Sequence, residues 1–324
     1  VASAFSGHYG VTRPELLAEA AASQGATALA ITDRDGLYGA VKHIGACLKL
    51  GIDPIVGVNL AVKDLGRVVV LAKGNDGGIG WAALCRVVSA AASKGKPITI
   101  TREELAELTI RDGLALCTVL IGQDSDFGLA AIARNRLLAA KSLTEWRKLF
   151  SAKGSLAIEL TNQLTEPDTA GSATVAARML ALGDSMGVPC ILTNAVRYLS
   201  PDDALTADVL DAARFLEPLG SFTPQPNAQA WLKPPASMVS LAVEITNDRS
   251  RAKKLLETTE ALADRCRLNP PNDCGWGKPK TPEKATLGID GNPFEVLWQR
   301  AYSAIDWRYP NVKERKLLEI RNRL

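Results

Sequence analysis

The side chains best suited to chemistry in this chain are a few carboxylates and arginines near one short strand, while histidine is scarce. The segment ITDRDGLYGAVKH (31–43) sets Asp33 and Asp35 on either side of Arg34, and the 324 residues include only two histidines, His8 and His43. Carboxylate oxygens and neutral imidazoles are common protein ligands of divalent metals, whereas arginine stays protonated and offers no lone pair. The pattern therefore indicates a site with permanently charged arginine side chains and few side chains that could bind a metal ion.

Both histidines and both carboxylates also have interpretations that involve no metal. His8 lies in a turn that we expect to be exposed, and His43 lies in the helical segment AVKHIGACLKL, so each is interpreted as solvated or structural. Asp33 and Asp35 are either the remnant of a metal site or caps of a helix that begins near Leu37. Because a helix dipole stabilises carboxylates at its N-terminus, the cap is favoured.

The composition is that of a medium-sized globular chain. The 324 residues suffice for one large domain or two smaller ones, and the 47% that are apolar allow a substantial core. No apolar run approaches the roughly 20 residues that cross a bilayer, and no signal-like segment opens the chain. We therefore expect a cytoplasmic protein without a membrane partner. The net charge of +3 is too small to indicate nucleic-acid binding.

The six cysteines are interpreted as buried free thiols. They lie at positions 47, 85, 117, 190, 266 and 274, mostly within apolar segments, and no pair has CxxC spacing. Since a zinc site requires closely spaced thiolates and usually imidazoles, these positions do not predict one.

Short apolar or β-branched runs alternate with helical patterns over the first 220 residues. Strands are predicted at 28–33, 54–62, 67–73, 114–122, 156–161 and 189–194, with an opening strand near Val1 to Phe5. Alternation of strands and helices predicts a parallel sheet. Seven strands would close into a barrel with helices outside. The active face would then lie at the strand C-termini, where Asp33, Asn59, Thr161 and Asn194 fall.

Helix boundaries are clearest at two places. RPELLAEAAASQG has Pro14 near a helix start and Gly25 at its end, and in TREELAEL the cap residue Thr101 is followed three residues later by Glu104. After about residue 217 the segment 217–237 is rich in Pro and Gly and predicts a loop or linker. Helical patterns follow at ASMVSLAVEI, SRAKKLLETTEALADRC, FEVLWQRAYSAI and VKERKLLEIRNRL.

VASAFSGHYG (1–10), ITDRDG (31–36) and GVN (57–59) resemble three motifs of the PHP (polymerase and histidinol phosphatase) domain found at the N-terminus of bacterial DNA polymerase III alpha subunits. The first segment is similar to the opening motif of that family, the second segment to its second motif, and the third to its G-V-E motif. VVVLAKGNDGGIGWAALCRVVSAA, AWLKPPASM, ALADRCRL and ERKLLEIRNRL resemble later alpha-subunit segments that free-standing PHP phosphatases lack. The resemblance covers the whole chain and is nearest to the actinobacterial alpha subunit or its error-prone relative.

The resemblance also identifies the family's metal-ligand positions, where His, Asp and Glu normally hold ions that activate water. In this chain those positions are occupied by Ala2, Tyr9, Arg34, Asn59, Arg67, Gln163, Ala195 and Arg197. The resemblance therefore implies that this segment has no catalytic residue, no metal and no cofactor.

Three of the replaced positions carry arginine, and a barrel would bring them together. Since unpaired like charges at one site are unfavourable, Arg34, Arg67 and Arg197 should contact internal carboxylates or a bound anion, such as sulfate or a DNA phosphate. Internal salt bridges are favoured over an anion. The candidate carboxylates are Asp33, Asp35 and Glu159.

The resemblance implies an α/β fold, a distorted (β/α)7 PHP barrel followed by a helical extension. Residues 1–220 would form the degenerate barrel, 221–285 a linker and helical extension that closes it, and 286–324 the start of the palm of a longer C-family DNA-directed DNA polymerase. That polymerase, a nucleotidyltransferase, would contact DNA and require Mg²⁺. The PHP portion would be structural, or would dock a proofreading exonuclease or another replisome subunit. The alternatives are an active metal-dependent phosphoesterase or 3′-5′ exonuclease, and a free-standing binding module.

Overall fold

The computed structural model describes residues 1–279, 283–284 and 286–323. The strands in this part of the chain are β1 (Ala28–Arg34), β2 (Asp53–Val62), β3 (Gly66–Ala72), β4 (Thr99–Ile100), β5 (Ile110–Arg111), β6 (Leu114–Ala115), β7 (Cys117–Ser125), β8 (Leu156–Thr161) and β9 (Cys190–Thr193). The helices are α1 (Pro14–Ser23), α2 (Ala40–Leu50), α3 (Ile79–Ser93), α4 (Arg102–Thr109), α5 (Asp126–Ile132), α6 (Arg136–Leu149), α7 (Ala173–Met186), α8 (Ala204–Phe215), α9 (Pro235–Thr246), α10 (Arg249–Cys266), α11 (Pro293–Ser303), α12 (Ile305–Arg308) and α13 (Glu314–Arg321).

The main sheet is mixed, so the prediction of a wholly parallel sheet is wrong. Its strand order is β1-β2-β3-β7-β8-β9, with β4 beside β2. The pairs β1–β2, β7–β8 and β8–β9 are parallel, whereas β3 runs antiparallel to both of its neighbours, β2 and β7. Only residues 63–65 join β2 to β3, and a connection of that length makes a hairpin because a parallel crossover requires a dozen residues or more.

The predicted opening strand is also wrong, because residues 1–5 form no regular strand. This segment nevertheless links the two edges of the curled sheet. The carbonyl of Val1 accepts a hydrogen bond of 2.8 Å from the Thr32 amide of β1, and the Ala2 amide donates one of 2.8 Å to the carbonyl of Val196, just after β9. The curled sheet and its surrounding helices confirm the predicted α/β fold with a distorted barrel.

Alternate residues of the strands belong to two buried clusters, one on each face of the curled sheet. On β2, Val56 and Val58 pack in the large cluster beneath the outer helices, while Ile55 belongs to a smaller inner cluster. Helix α10 contributes Leu262 and Cys266 to the inner cluster. The Leu268 amide, just past α10, donates to the carbonyl of Pro54 at the start of β2. Helix α10 therefore fills the barrel at the amino ends of its parallel strands.

Most local predictions for the helices are confirmed. Helix α1 begins at Pro14 and is followed by Gly25 at φ 82°, and Thr101 and Glu104 form the predicted capping box of α4. Helix α2 begins at Ala40 rather than near Leu37. No helix in the described residues combines the length and apolarity required to cross a membrane.

The cysteines are free thiols, as predicted, although two of them are only partly buried. Four of them, at positions 47, 117, 190 and 266, are buried, while Cys85 and Cys274 are half-buried.

The strand predicted at 114–122 is divided in two, with β6 and β7 separated at Leu116.

The chain forms two compact units, residues 1–276 and 277–324. The first contains the barrel together with α9 and α10, and the second contains α11 to α13. In the second unit Arg321 donates a hydrogen bond of 3.0 Å to Asp306. The division at residues 220 and 285, and the assignment of 286–324 to a polymerase palm, stay predictions.

Candidate site at the mouth of the barrel

A cavity of about 310 Å³ lies inside the barrel. Apolar side chains of the strands and of α10 line its inner part, among them Ile55, Leu71 and Leu262. Its polar lining gathers near the carboxyl ends of the parallel strands and includes Tyr9, Asn59, Arg67, Gln123, Asp124, Glu159, Thr161, Thr193 and Asn194. The polar groups thus lie at the end of the barrel where the sequence predicted them.

Arg67 contacts a carboxylate, as predicted. Its guanidinium donates to the side-chain and main-chain oxygens of Asn59 at 2.6 and 2.8 Å, and to Oδ1 of Asp35 at 2.7 Å. Asp35 follows β1 in the left-handed conformation, with φ 60°, and Asn59 lies near the end of β2. One arginine therefore joins the ends of two neighbouring strands.

Arg197 also contacts a carboxylate, but not one that the sequence predicted. Its Nη1 donates to Asp211 of α8 at 2.8 Å, and its Nη2 donates to the carbonyl of Tyr9 at 3.0 Å. Arg197 and Asp211 are both buried, and Asp211 also accepts from Arg214 at 2.7 Å. Removing one partner of a buried ion pair costs about 3–5 kcal/mol, so this contact fixes α8 against the barrel. The three-residue spacing of Asp211 and Arg214 predicts that they share a helix face, but no local signal points to Arg197.

Arg34 differs from the other two arginines. Its guanidinium carbon lies 3.5 Å from the centre of the Tyr9 ring, and the guanidinium carbons of Arg197 and Arg214 lie 4.1 and 5.6 Å from that centre. Within the described residues no acceptor lies within hydrogen-bonding distance of the buried Nε of Arg34, and the same is true of Nε of Arg214. Burial lowers the pKa of Arg34, and the positive charges of Arg67 and Arg214 act in the same direction.

Asp33 and Glu159 do not contact the arginines. Asp33 is buried and accepts hydrogen bonds from the Ser3 amide, the Ser3 and Ser6 hydroxyls and the Gly39 amide, at 2.7–3.0 Å. Asp33 therefore holds the opening segment against the start of α2. The predicted cap is wrong, because the N-cap residue of α2 is Gly39 and, in the described residues, neither Asp33 nor Asp35 accepts a hydrogen bond from an amide of the first turn.

Glu159 lies in the cavity, where its Oε1 accepts a hydrogen bond of 2.7 Å from the Thr193 hydroxyl. Burial raises the pKa of this carboxyl group, so its environment favours the neutral form. The hydrogen-bond partner of this carboxyl group is therefore a hydroxyl rather than an arginine.

The remaining predicted positions are divided between the cavity wall and other contacts. Ala2 and Ala195 line the cavity, whereas the amide nitrogen of Gln163 donates to the carbonyl of Asn194 at 3.0 Å. His8 is exposed, and the buried His43 ring makes a 2.9 Å contact with the Leu29 carbonyl through Nε2. Both histidines match their solvated or structural interpretation.

The donor set at the barrel mouth does not fit a metal cluster. In residues 1–279, 283–284 and 286–323, no three His, Cys, Asp or Glu side chains converge as metal ligands. The Asp35 carboxylate is engaged by Arg67, and Asp33 accepts bonds from backbone amides and hydroxyls. Guanidinium groups donate hydrogen bonds and carry positive charge, so this arrangement suits an oxyanion rather than a cation.

Comparisons with known proteins agree with the resemblance seen in the sequence. The family model of the PHP domain matches residues 1–163. A DNA polymerase III subunit alpha from Buchnera aphidicola subsp. Acyrthosiphon pisum is 30% identical over 204 residues, covering 60% of this chain and 16% of that relative. An error-prone DNA polymerase from Mycolicibacterium paratuberculosis is 31% identical over 247 residues, covering 72% of this chain and 21% of that relative.

The similarity to solved structures is weaker. An amidohydrolase from Chromobacterium violaceum has a TM-score of 0.39 and 14% identity, covering 57% of this chain and 83% of that chain.

The two polymerase relatives are much longer than the region they share with this chain, which spans 16% and 21% of their lengths.

Proposed function

This chain belongs to the PHP domain family, and from that membership we propose that it is the N-terminal PHP portion of a DNA polymerase III alpha-type subunit with a structural role. In this proposal paired arginines have replaced the family's metal site. The named polymerase relatives support the polymerase assignment, since they match 60% and 72% of this chain.

The observation that carries the proposal is the pairing of arginines at positions that the family resemblance assigns to metal ligands. Arg67 contacts Asp35, and Arg197 contacts Asp211. A guanidinium carries the positive charge that a metal would otherwise supply, but it cannot bind or activate water as a metal does. Such contacts stabilise a barrel without providing hydrolytic chemistry.

The partners follow from the same proposal. The remainder of a polymerase chain would pack against this portion, and DNA and Mg²⁺ would be bound by the full-length protein in the cytoplasm. A proofreading exonuclease or another replisome subunit is a further candidate for docking.

The test is metal content combined with phosphoesterase activity. The untagged chain is incubated with Zn²⁺, Mn²⁺ and Fe²⁺, desalted, and analysed for metal, then assayed on a generic phosphomonoester and on single-stranded DNA. We expect well under one ion per chain and no hydrolysis above the buffer rate. Stoichiometric metal together with hydrolysis would instead support the active phosphoesterase or exonuclease.

A matched variant restores donors at three of the replaced positions, as Arg34→His, Asn59→Glu and Arg67→His. Imidazole and carboxylate groups are metal ligands, so this variant should retain more metal than the unchanged chain under the same conditions. Equal metal content in both proteins would contradict the assignment of these positions.

A further inference from the structure

Two arginines at the barrel mouth have donor groups without acceptors. Five buried side-chain polar atoms lack a hydrogen-bond partner in the described residues, and the Nε atoms of Arg34 and Arg214 are two of them. Both guanidinium groups lie beside the Tyr9 ring. A buried donor without an acceptor is unfavourable, and two such donors at one site point to an acceptor that binds there.

The charges at this site are also unbalanced. Four guanidinium groups, those of Arg34, Arg67, Arg197 and Arg214, contact or surround Tyr9 and Asn59, while the two carboxylates paired with them are Asp35 and Asp211. The exposed carboxylate of Asp124 attracts Arg34 but forms no ion pair with it in the described structure. At this site the ion pairs of the described residues therefore join three of the four guanidinium groups to only two carboxylates, so paired negative charge is in deficit.

We infer that Arg34 and Arg214, positioned beside the Tyr9 ring, bind a phosphate group at the mouth of the barrel. A phosphate monoester or inorganic phosphate carries about −1.5 to −2 charge near neutral pH, so it would add negative charge where guanidinium groups outnumber their paired carboxylates. The planar fork of arginine offers parallel N–H donors to two oxygens of such a group. The Arg214 side chain is 29% exposed and Arg34 is half-buried, so each side chain is partly open to solvent although its Nε atom is buried.

This site goes beyond the proposed structural role and does not depend on it. Arg67 pairs with Asp35, and Arg197 pairs with Asp211, which also accepts a hydrogen bond from Arg214. Arg34 makes no such contact in the described residues, and it is the group whose charge a ligand would neutralise. The phosphate has two sources, a small molecule such as inorganic phosphate or a nucleotide, and the terminal phosphate of a DNA strand.

The experiment measures phosphate binding to the complete chain in EDTA at low ionic strength. Inorganic phosphate is titrated by calorimetry, and the Tm is followed as its concentration rises. We expect saturable binding with a rise in Tm, and a loss of affinity of about tenfold or more in Arg34→Gln, because a charge-assisted hydrogen bond is lost. The absence of saturable binding to the unchanged chain overturns the inference.

The matched control is Arg86→Gln, which removes the same charge from an exposed position on α3. It should leave the affinity unchanged, so equal losses in the two variants would indicate nonspecific attraction and overturn the site. If Arg34→Gln does not fold, Arg34→Lys replaces it, since lysine keeps the charge without the planar fork. A several-fold weaker affinity is then expected, and an unchanged affinity overturns the inference.

Oligonucleotides distinguish the two sources of phosphate. A DNA end is supported as the ligand by three results with a 5′-phosphorylated single strand. Its binding depends on Arg34, it competes with inorganic phosphate, and its affinity is higher than that of the same strand without the phosphate. Arg34-dependent binding of inorganic phosphate without that preference supports a small molecule. EDTA removes metal from this assay, so the absence of Arg34-dependent phosphate binding would contradict only the phosphate site. Retention of metal in the earlier assay would contradict only the proposed structural function.

Discussion

Arg34 and Arg67 lie at neighbouring strand ends, yet their surroundings differ. The sequence predicted an internal carboxylate for each, and among the described residues Arg67 has one, in Asp35, whereas Arg34 has none. Asp33 is adjacent to Arg34 in sequence, but successive residues of a strand point to opposite faces. Asp33 is therefore directed to Ser3 and Gly39, while Arg34 stacks on a tyrosine. Sequence proximity misled here because strand geometry separates neighbours.

His43 supplies a prediction about pH at the same scale. Burial lowers its pKa from 6.5 to about 4, so in the folded state the ring stays neutral at pH values where the unfolded chain is protonated. Its stabilising effect is complete above pH 6.5 and is lost as the pH falls toward 4. The free energy of unfolding should fall by up to about 3 kcal/mol over this range.

The measurement is urea unfolding of the unchanged chain and of His43→Gln between pH 7.5 and 4.5. The variant should show a weaker loss of stability on acidification, since it has no ring to protonate, and the other titrating groups act in both proteins. His8→Gln, which alters the exposed histidine, is the control and should keep the original slope. If the unfolding free energy falls equally steeply with pH in His43→Gln and in the unchanged chain, protonation of His43 does not cause the loss of stability.

At the scale of elements, α10 has a role that its sequence did not reveal. The segment SRAKKLLETTEALADRC predicted a helix, and the structure has one at Arg249–Cys266. Its apolar residues Leu262 and Cys266 pack against Ile55, Leu71 and Leu120 inside the barrel. A periodic pattern identifies the buried face of a helix but not the surface that covers it, so this contact became visible only in the tertiary structure.

We expect Leu262→Ala to destabilise the chain by about 2–5 kcal/mol, because it removes buried methyl groups and enlarges the cavity that Leu262 lines. Chemical denaturation of the two proteins gives the difference. Glu260→Ala changes an exposed residue on the same helix and should alter stability by less than about 0.5 kcal/mol. A cost below about 1 kcal/mol for Leu262→Ala would mean that α10 does not support the barrel.

For the whole molecule, we expect that this chain alone does not extend a primer. It covers 16% and 21% of two polymerase relatives, and its described residues contain no carboxylate cluster for two-metal phosphoryl transfer. A primed template, deoxynucleotides and Mg²⁺ provide the assay, with a complete alpha subunit as positive control. Templated extension that persists through purification would contradict the assignment to the PHP portion.

The sequence alone determined the features that depend on short stretches of chain. The strands β1, β2, β3, β8 and β9, the capping box of α4 and the start of α1 follow from local periodicity and cap residues, which act over a few positions. The family resemblance in the opening motifs is local in the same sense. These local signals were enough to predict the α/β fold class. They were also enough to predict at which end of the barrel the polar residues lie.

Only the tertiary structure decided how distant residues pair. Arg197 contacts Asp211 and the carbonyl of Tyr9, which lies 188 residues away in sequence. In the part of the chain that the structure describes, Arg34 lies on the Tyr9 ring and forms no ion pair with a carboxylate. Such contacts depend on the orientation of packed elements, and no periodicity or motif along the chain encodes the angle at which one side chain meets another.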